Sequence, residues 1–526
     1  MYGNSTRENR ETPLTPAGED AAGRLEKAVS QKSNMHVGGE SDGRVIPTKC
    51  PNNGEQAPAE GMEGRRPTKE NIRQATAPRT QSRTSALSDL QGVREVARRD
   101  KRTRFTALLH HVTPERLRES YYALKREAAP GVDGVTWYEY ETDLDERVLS
   151  LHRRIHRGTF RAQPSKRAYI AKADGRERPL GIAALEDKIV QQAVVTVLNQ
   201  IYEEDFLGFS YGFRPGRSPH AALDALWVGL MRKQVNWILN ANVRGFFDNL
   251  SHEWLGQFIE HRVADRRILR LIRKWLRAGV SEDGEWSKTE VGVPQGSVVS
   301  PLLSNIYLHY LFDLWVRHWR KHYATGDMIV VRYADDAVLG FEHRADAERF
   351  LEEWKDRLQK FGLELHPDKT RLMEFGRQAA EHRKQRGAGK PEVFNFLGFT
   401  HICGKTRRTG SFIVRRKTVP KRLAAKLGEL KQELRRRCHQ PVAEVGAWLK
   451  SVVQGYFNYY AVPDNSDSLN SFRSQVTWHW YRALRRRSQR TRMTWERFRR
   501  LVDLWIPSAT ILHPYPSQRF DAIHPR

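Results

Sequence analysis

An α+β fold followed by a basic, helical C-terminal domain is what this sequence predicts, and three observations predict it. Residues 328–341, Met-Ile-Val-Val-Arg-Tyr-Ala-Asp-Asp-Ala-Val-Leu-Gly-Phe, set β-branched and apolar residues on both sides of two adjacent acids. That pattern is a β-hairpin with carboxylates at its turn. Helical periods of apolar residues separate such strand-like runs from residue 86 to about 418. After that, residues 421–526 keep a helical period and hold 20 Lys and Arg against 8 Asp and Glu.

Taken in order, residues 1–85 are polar, rich in Gly, Pro, Ser, Thr and Asn, and almost without aromatics, the composition of a disordered tail. Leu87, Leu90, Val93 and Val96 open the helical pattern, and Leu108, Leu109, Val112 and Leu117 continue it. Leu144, Val148, Leu151 and Ile155 mark another amphipathic helix after the turn-rich Pro130–Thr136 loop. Residues 169–182 read as a hairpin turning at Asp174-Gly175, with helices following through Leu198. Residues 237–243 read as a short buried strand, and a helix runs from Arg267 to Trp275. A long helix spans Pro301–Trp319 with Leu302, Ile306, Tyr310 and Leu314 on one face. The hairpin follows, then a helix from Ala345 to Phe361, and residues 394–400 suggest another strand pair.

The chain has 526 residues, enough for two or three domains, and a formal net charge of +27. A charge that large is self-repulsive in the folded state and favours a polyanionic partner, nucleic acid above all. No apolar run of about 18 residues is present, so no membrane partner is expected. The start has no apolar leader region, and Cys50, Cys403 and Cys438 form neither a zinc motif nor a disulfide framework. A reducing, cytoplasmic setting is expected.

Chemistry concentrates in a few segments. Asp335 and Asp336 at a hairpin tip repel each other, and divalent cations would neutralise them; two metals about 3.5–4 Å apart can activate a hydroxyl and stabilise a leaving pyrophosphate. Upstream lie the basic turn Lys172–Arg178, the loop Ser210–Ser218 with Arg214 and Arg217, and Asn240–His252 containing Phe246, Phe247 and Asp248. Residues 291–301, Val-Gly-Val-Pro-Gln-Gly-Ser-Val-Val-Ser-Pro, form a tight turn into the long helix. Downstream come Lys369 in Gly362–Thr370, Phe396-Leu397-Gly398, and the aromatic stretch Trp448–Tyr460. Trp478, Trp480 and Tyr481 then precede Arg485, Arg486 and Arg487, a mixture suited to RNA through phosphate contact and base stacking. Each segment alone also reads blandly, as a turn, a core helix or a solvated basic face.

In this order the segments resemble the group II intron-encoded reverse transcriptase/maturases over roughly residues 86–526. The resemblance implies a right-hand polymerase, fingers and palm over 86–418 and an α-helical thumb/maturase domain over 419–526, with no C-terminal HNH endonuclease. It implies catalytic and metal-binding roles for Asp335 and Asp336, with two Mg²⁺. Nucleotide contacts fall to Lys172, Arg178, Phe247, Gln295 and Lys369, and RNA contacts to Arg214, Arg217, Arg485, Arg486 and Arg487. The implied partners are group II intron RNA, a target DNA primer and dNTPs; the implied activity is RNA-directed DNA synthesis for intron mobility, with assistance to splicing.

One position departs from the pattern. The family's strand carries a metal-ligand Asp where this chain has Asn242. An amide is neutral and cannot replace a bridging carboxylate. Its loss from a two-metal site costs several kcal/mol of transition-state stabilisation, on the order of 10³-fold in rate or more. Asp248, six residues on, is structural in the family and no substitute. Two expectations therefore stand: an active reverse transcriptase/maturase, and an RNA-binding splicing maturase whose polymerase activity is impaired.

Overall fold

A computed structural model describes residues 80–171, 177–282, 284–487 and 493–524. Most of the expected tail, and the Asp174-Gly175 turn, lie outside them. The first helix, Thr80–Arg99, begins before the expected boundary at residue 86.

The strands of the described residues are β1 (Ser165–Ala171), β2 (Glu177–Ile182), β3 (Trp237–Asn242), β4 (Val280–Glu282), β5 (Glu285–Ser287), β6 (Met328–Tyr333), β7 (Asp336–Phe341), β8 (Arg371–Glu374), β9 (Phe394–Phe396), β10 (Phe399–Lys405) and β11 (Phe412–Thr418). They form three sheets, ordered β6-β7-β3-β8, β2-β1-β4-β5 and β11-β10-β9. The chain is thus α+β, as its patterning predicts.

The first sheet is buried on both faces, which explains its unbroken apolar runs. Side chains alternate along a strand. Met328 and Val330 of β6, Leu239 and Ala241 of β3, and Ala337, Leu339 and Phe341 of β7 pack on one side, against helices such as Leu185–Asp205 and Arg344–Gln359. Ile329, Val331, Ile238, Val338 and Met373 pack on the other, with Leu223 and Leu226 of helix Pro219–Arg232 and with Phe394, Phe399 and Val414 of the third sheet. Ser218 starts that helix by accepting the Ala221 N–H, with Pro219 in its first turn.

The expected long helix runs as Ser300–Leu308, a π-helical segment His309–Asp313, and Leu314–His322. The wider turn rotates everything after it. Leu302 and Ile306 are buried as expected, but beyond the bulge the buried residues are Val316 and Trp319 rather than Leu314.

Residues 420–506 form a bundle of helices Pro420–Arg436, Val442–Tyr460, Ser466–Arg485 and Trp495–Trp505, with Leu430, Leu449, Phe472, Trp480 and Phe498 in its core. The bundle does not extend to residue 526 as expected. The last helix, Pro516–Ile523, leaves it and packs on helix Pro219–Arg232. Phe520 joins the apolar cluster under the first sheet, Asp521 pairs with Arg232 at 2.7 Å, and Arg519 pairs with buried Asp224.

Candidate active site

β6 and β7 pair as an antiparallel hairpin that closes at Tyr333↔Asp336, leaving Ala334 and Asp335 as its turn. Ala334 adopts φ 54°, the left-handed conformation that such tight hairpin turns require. β7 then pairs with β3 so that Asn242 stands opposite Asp336. Three sequence-predicted residues, Asn242, Asp335 and Asp336, therefore meet at one end of the sheet.

Their electrostatics follow from that convergence. Asp335 is half-buried and water still reaches Asp336, yet surrounding protein partly desolvates both carboxyls. Burial, then the neighbouring Asp336 charge, pushes the Asp335 carboxyl up to about 6; Arg178 and Lys369 act against this. Burial also raises Asp336, opposed by the hydrogen bond from Asn242 and by the charges of Lys369, Arg422 and Arg178. The Asn242 Nδ2 donates to Asp336 Oδ1 at 2.6 Å. An amide oxygen facing that carboxylate would repel it, so the donor end of the amide is the one turned inward.

Arg178 on β2 and Lys369 in the loop before β8 are both exposed and within electrostatic reach of the acids. Lys172 lies outside the described residues. Arg422, in the first turn of helix Pro420–Arg436, went unnoticed in the sequence, because β11 before it does not read as a strand.

Gln295 sits in a loop knitted to two neighbours. Its carbonyl accepts from Gly181 N–H of β2 at 2.7 Å. Its side-chain Nε2 donates to Asp248 Oδ1 at 3.2 Å. Val293 N–H donates to Phe247 O at 2.8 Å. Gly292, at φ 86°, lies where a Cβ would be 2.7 Å from Asp248 O, so only glycine permits this approach. Phe247 is half-buried, Phe246 is core, and Asp248 is exposed and accepts the Gln295 hydrogen bond.

One RNA-contact expectation, Arg214, needs correction. Arg214 is buried, 3% exposed, and holds Glu203 in a buried ion pair at 2.9 Å while donating to the Leu207 and Ser210 carbonyls. Its donors are spent inside the protein, so it has none to offer a phosphate. Arg217 is half-buried, donating to Gly208 O and lying over the Tyr211 ring. Arg485 and Arg486 are exposed at the end of helix Ser466–Arg485, and Arg487 is half-buried beside them. Trp478 is 50% exposed, but Trp480 is fully buried.

As a cation site, these residues fall short. Asp335 and Asp336 offer carboxylate oxygens, whereas Asn242 presents N–H to them. Among the described residues no group of three or more His, Cys, Asp or Glu is placed to hold a metal. The donor set lacks one carboxylate of what two divalent cations need, so the arrangement does not fit the two-metal centre.

An α+β chain with an Asp pair at a hairpin tip, within reach of the cations Arg178 and Lys369, is what the comparisons meet. The family model for reverse transcriptase (RNA-dependent DNA polymerase) matches residues 170–401, and the chain belongs to that family, alongside the group II intron reverse transcriptase/maturases. It is 33% identical over 309 residues to Protein YkfC of Escherichia coli (strain K12), covering 52% of this chain and 81% of that protein. It is 39% identical over 171 residues to the group II intron-encoded protein LtrA of Lactococcus lactis subsp. cremoris, covering 32% of this chain and 28% of LtrA. Nuclear intron maturase 4, mitochondrial, of Arabidopsis thaliana is 26% identical over 227 residues, 42% of this chain and 27% of that protein.

Proposed function

We propose that this chain is a group II intron-encoded reverse transcriptase/maturase. In this reading residues 86–418 are the fingers and palm of a right-hand polymerase, and the helical region from 419 on is the thumb/maturase domain. It binds its intron RNA, assists splicing, and copies RNA into DNA from a target DNA primer. One observation carries the reading: the hairpin and its partner strand bring Asp335, Asp336 and Asn242 together, within electrostatic reach of Arg178 and Lys369. Arg178 and Lys369 would neutralise a triphosphate there, where burial strengthens each charge–charge contact. The glycine turn at Gln295 would let backbone approach a base pair, with Phe247 beneath the sugar. Exposed Arg485 and Arg486 would meet RNA phosphates. Mg²⁺ is the family's usual cation, but the donor set is one carboxylate short of what a two-metal centre needs.

A second reading rests on the Asn242–Asp336 hydrogen bond: a splicing maturase that keeps the polymerase scaffold with DNA synthesis impaired. Primer extension on an RNA template, comparing the chain with Asn242→Asp, separates the two. The expected outcome is weak synthesis that the substitution raises on the order of 10³-fold. Equal synthesis by both chains would remove the significance assigned to Asn242 and leave the first reading alone.

A further inference from the structure

We propose that Arg332 is a positioning residue for the reaction at Asp335 and Asp336: its guanidinium fixes the turn that carries both carboxylates. The proposal rests on the reading that those acids serve nucleotidyl transfer.

Arg332 precedes the turn on β6, points into the protein and is 1% exposed. A guanidinium has five N–H donors in a planar fork, and here five hydrogen bonds radiate from it. Nε and Nη2 donate to the two carboxylate oxygens of Asp313 at 2.7 and 2.6 Å. Nη2 also donates to Ser210 Oγ at 2.6 Å. Nη1 donates to Asn305 Oδ1 at 3.1 Å and to the carbonyl of Ala334, the turn residue itself, at 3.0 Å. The Arg332 charge is therefore spent on Asp313, which is fully buried, rather than on Asp335 and Asp336.

The same group holds the other side of the turn. Asn305 Nδ2 donates to Gly212 O at 2.7 Å. Gly212 lies so close that a Cβ there would be 2.3 Å from Ala334 N. Ser210 bridges Arg332 in parallel, with Tyr211 N–H donating to Arg332 O and Arg332 N–H to Phe209 O. Ala334 is thus gripped from both faces in a left-handed conformation that an L-residue with a Cβ disfavours. The anchor Asp313 is the last residue of the π-helical segment, and Asn305 lies in the helix just before it. Strain at the tip is held in place by a buried, planar, fully committed cation. A lysine, with three donors on a flexible stem, cannot reproduce that fork.

The test uses the full chain with Arg332→Lys, Ala334→Gly and the two combined, each with and without Asn242→Asp. Hydrogen–deuterium exchange over residues 328–341 reads the turn independently of activity. Arg332→Lys is expected to speed exchange at the hairpin tip about tenfold, the effect of losing charge-assisted hydrogen bonds. Adding Ala334→Gly is expected to restore protection, because glycine adopts the turn without the clasp. In the Asn242→Asp chain, Arg332→Lys is expected to raise several-fold the Mn²⁺ concentration giving half-maximal primer extension. A merely structural arginine would lower the amount of active protein and leave that midpoint fixed. Tip exchange and cation midpoint both unchanged in Arg332→Lys would overturn the proposal. If Arg332→Lys does not fold, Ser210→Ala removes one acceptor of the clasp: faster exchange confined to the tip supports it, and parental exchange there overturns it. A separate outcome bears on the underlying reading. If Arg332→Lys loosens the tip but the Asn242→Asp chain with Arg332 intact extends no primer, the nucleotidyl-transfer reading fails and the clasp stands.

Discussion

Arg214 and Arg332 show what burial does to a charge. Arg214 carries its charge into the interior and is matched there by Glu203, with both side chains almost wholly shielded. Breaking such a pair leaves an uncompensated buried charge, which costs about 3–5 kcal/mol. Arg214→Met should lower stability toward urea by that order, while leaving the salt dependence of RNA binding at its parental slope. A flattened slope would show that Arg214 reaches phosphate after all. The loop around it, Ser-Tyr-Gly-Phe-Arg-Pro-Gly-Arg-Ser, suits phosphate by composition. What composition could not convey is that Glu203 waits at the end of a helix eleven residues earlier. Asp335 and Asp336 were legible because two adjacent acids between apolar β-branched runs repel each other and need a cationic ligand to justify them. Arg332 was not, because an arginine amid a strand of apolar residues reads as an interruption until Asp313, Asn305 and Ser210 are seen around it.

At the scale of elements, the β9-β10-β11 sheet carries a pH-dependent load. His401 of β10 is fully buried, stacked on Phe394 with ring centroids 4.7 Å apart and an interplanar angle of 5°, and paired in register with Arg416 of β11. Burial first, and then the Arg416 charge, pushes its imidazole down to about 3 from an ordinary value of 6.5. A histidine depressed in the folded state contributes stability above its unfolded value and loses it as pH falls through about 6.5 toward 3. His220, pushed down to about 2 chiefly by burial, acts in the same sense. The contribution of these two histidines to the unfolding free energy should therefore decline below about pH 6.5, and His401→Phe should change the slope of stability against pH there by up to about 1.4 kcal/mol per pH unit relative to the parent. Parallel pH profiles for the two chains, by urea unfolding, would sink this assignment. Elements with a clear period, the central hairpin and the long helices, were readable in the sequence. β11 was missed because Arg415, Arg416 and Lys417 interrupt its apolar residues, and β4, β5 and β8 because each has only three or four residues. The π-helical turn was illegible because its one extra residue rotates the stripe without breaking it.

At the scale of the molecule, the +27 charge is what a polyanionic partner would meet, and it is spread unevenly. Arg485, Arg486 and Arg487 end a bundle helix whose exposed face also carries Trp478 and Arg482. Replacing the three with Gln should weaken intron RNA binding and reduce the slope of log K against log salt by roughly 2–3, about 0.7–0.9 for each phosphate no longer neutralised. An unchanged slope would place the RNA elsewhere. The sequence foretold this basic region but not that the final helix leaves it. Phe520 reads as one more aromatic in a helical stretch; only the cluster with Leu223 and Leu226 reveals it as part of the sheet's underlayer.

The pairing of Asn242 with Asp336 has a genetic consequence. Asparagine and aspartate codons differ by one base, and the two side chains have nearly the same shape. A single transition at that codon would exchange the inward N–H for an oxygen without displacing β3, the hairpin or the clasp beneath it. The scaffold therefore stands one point mutation from a complete set of three acids.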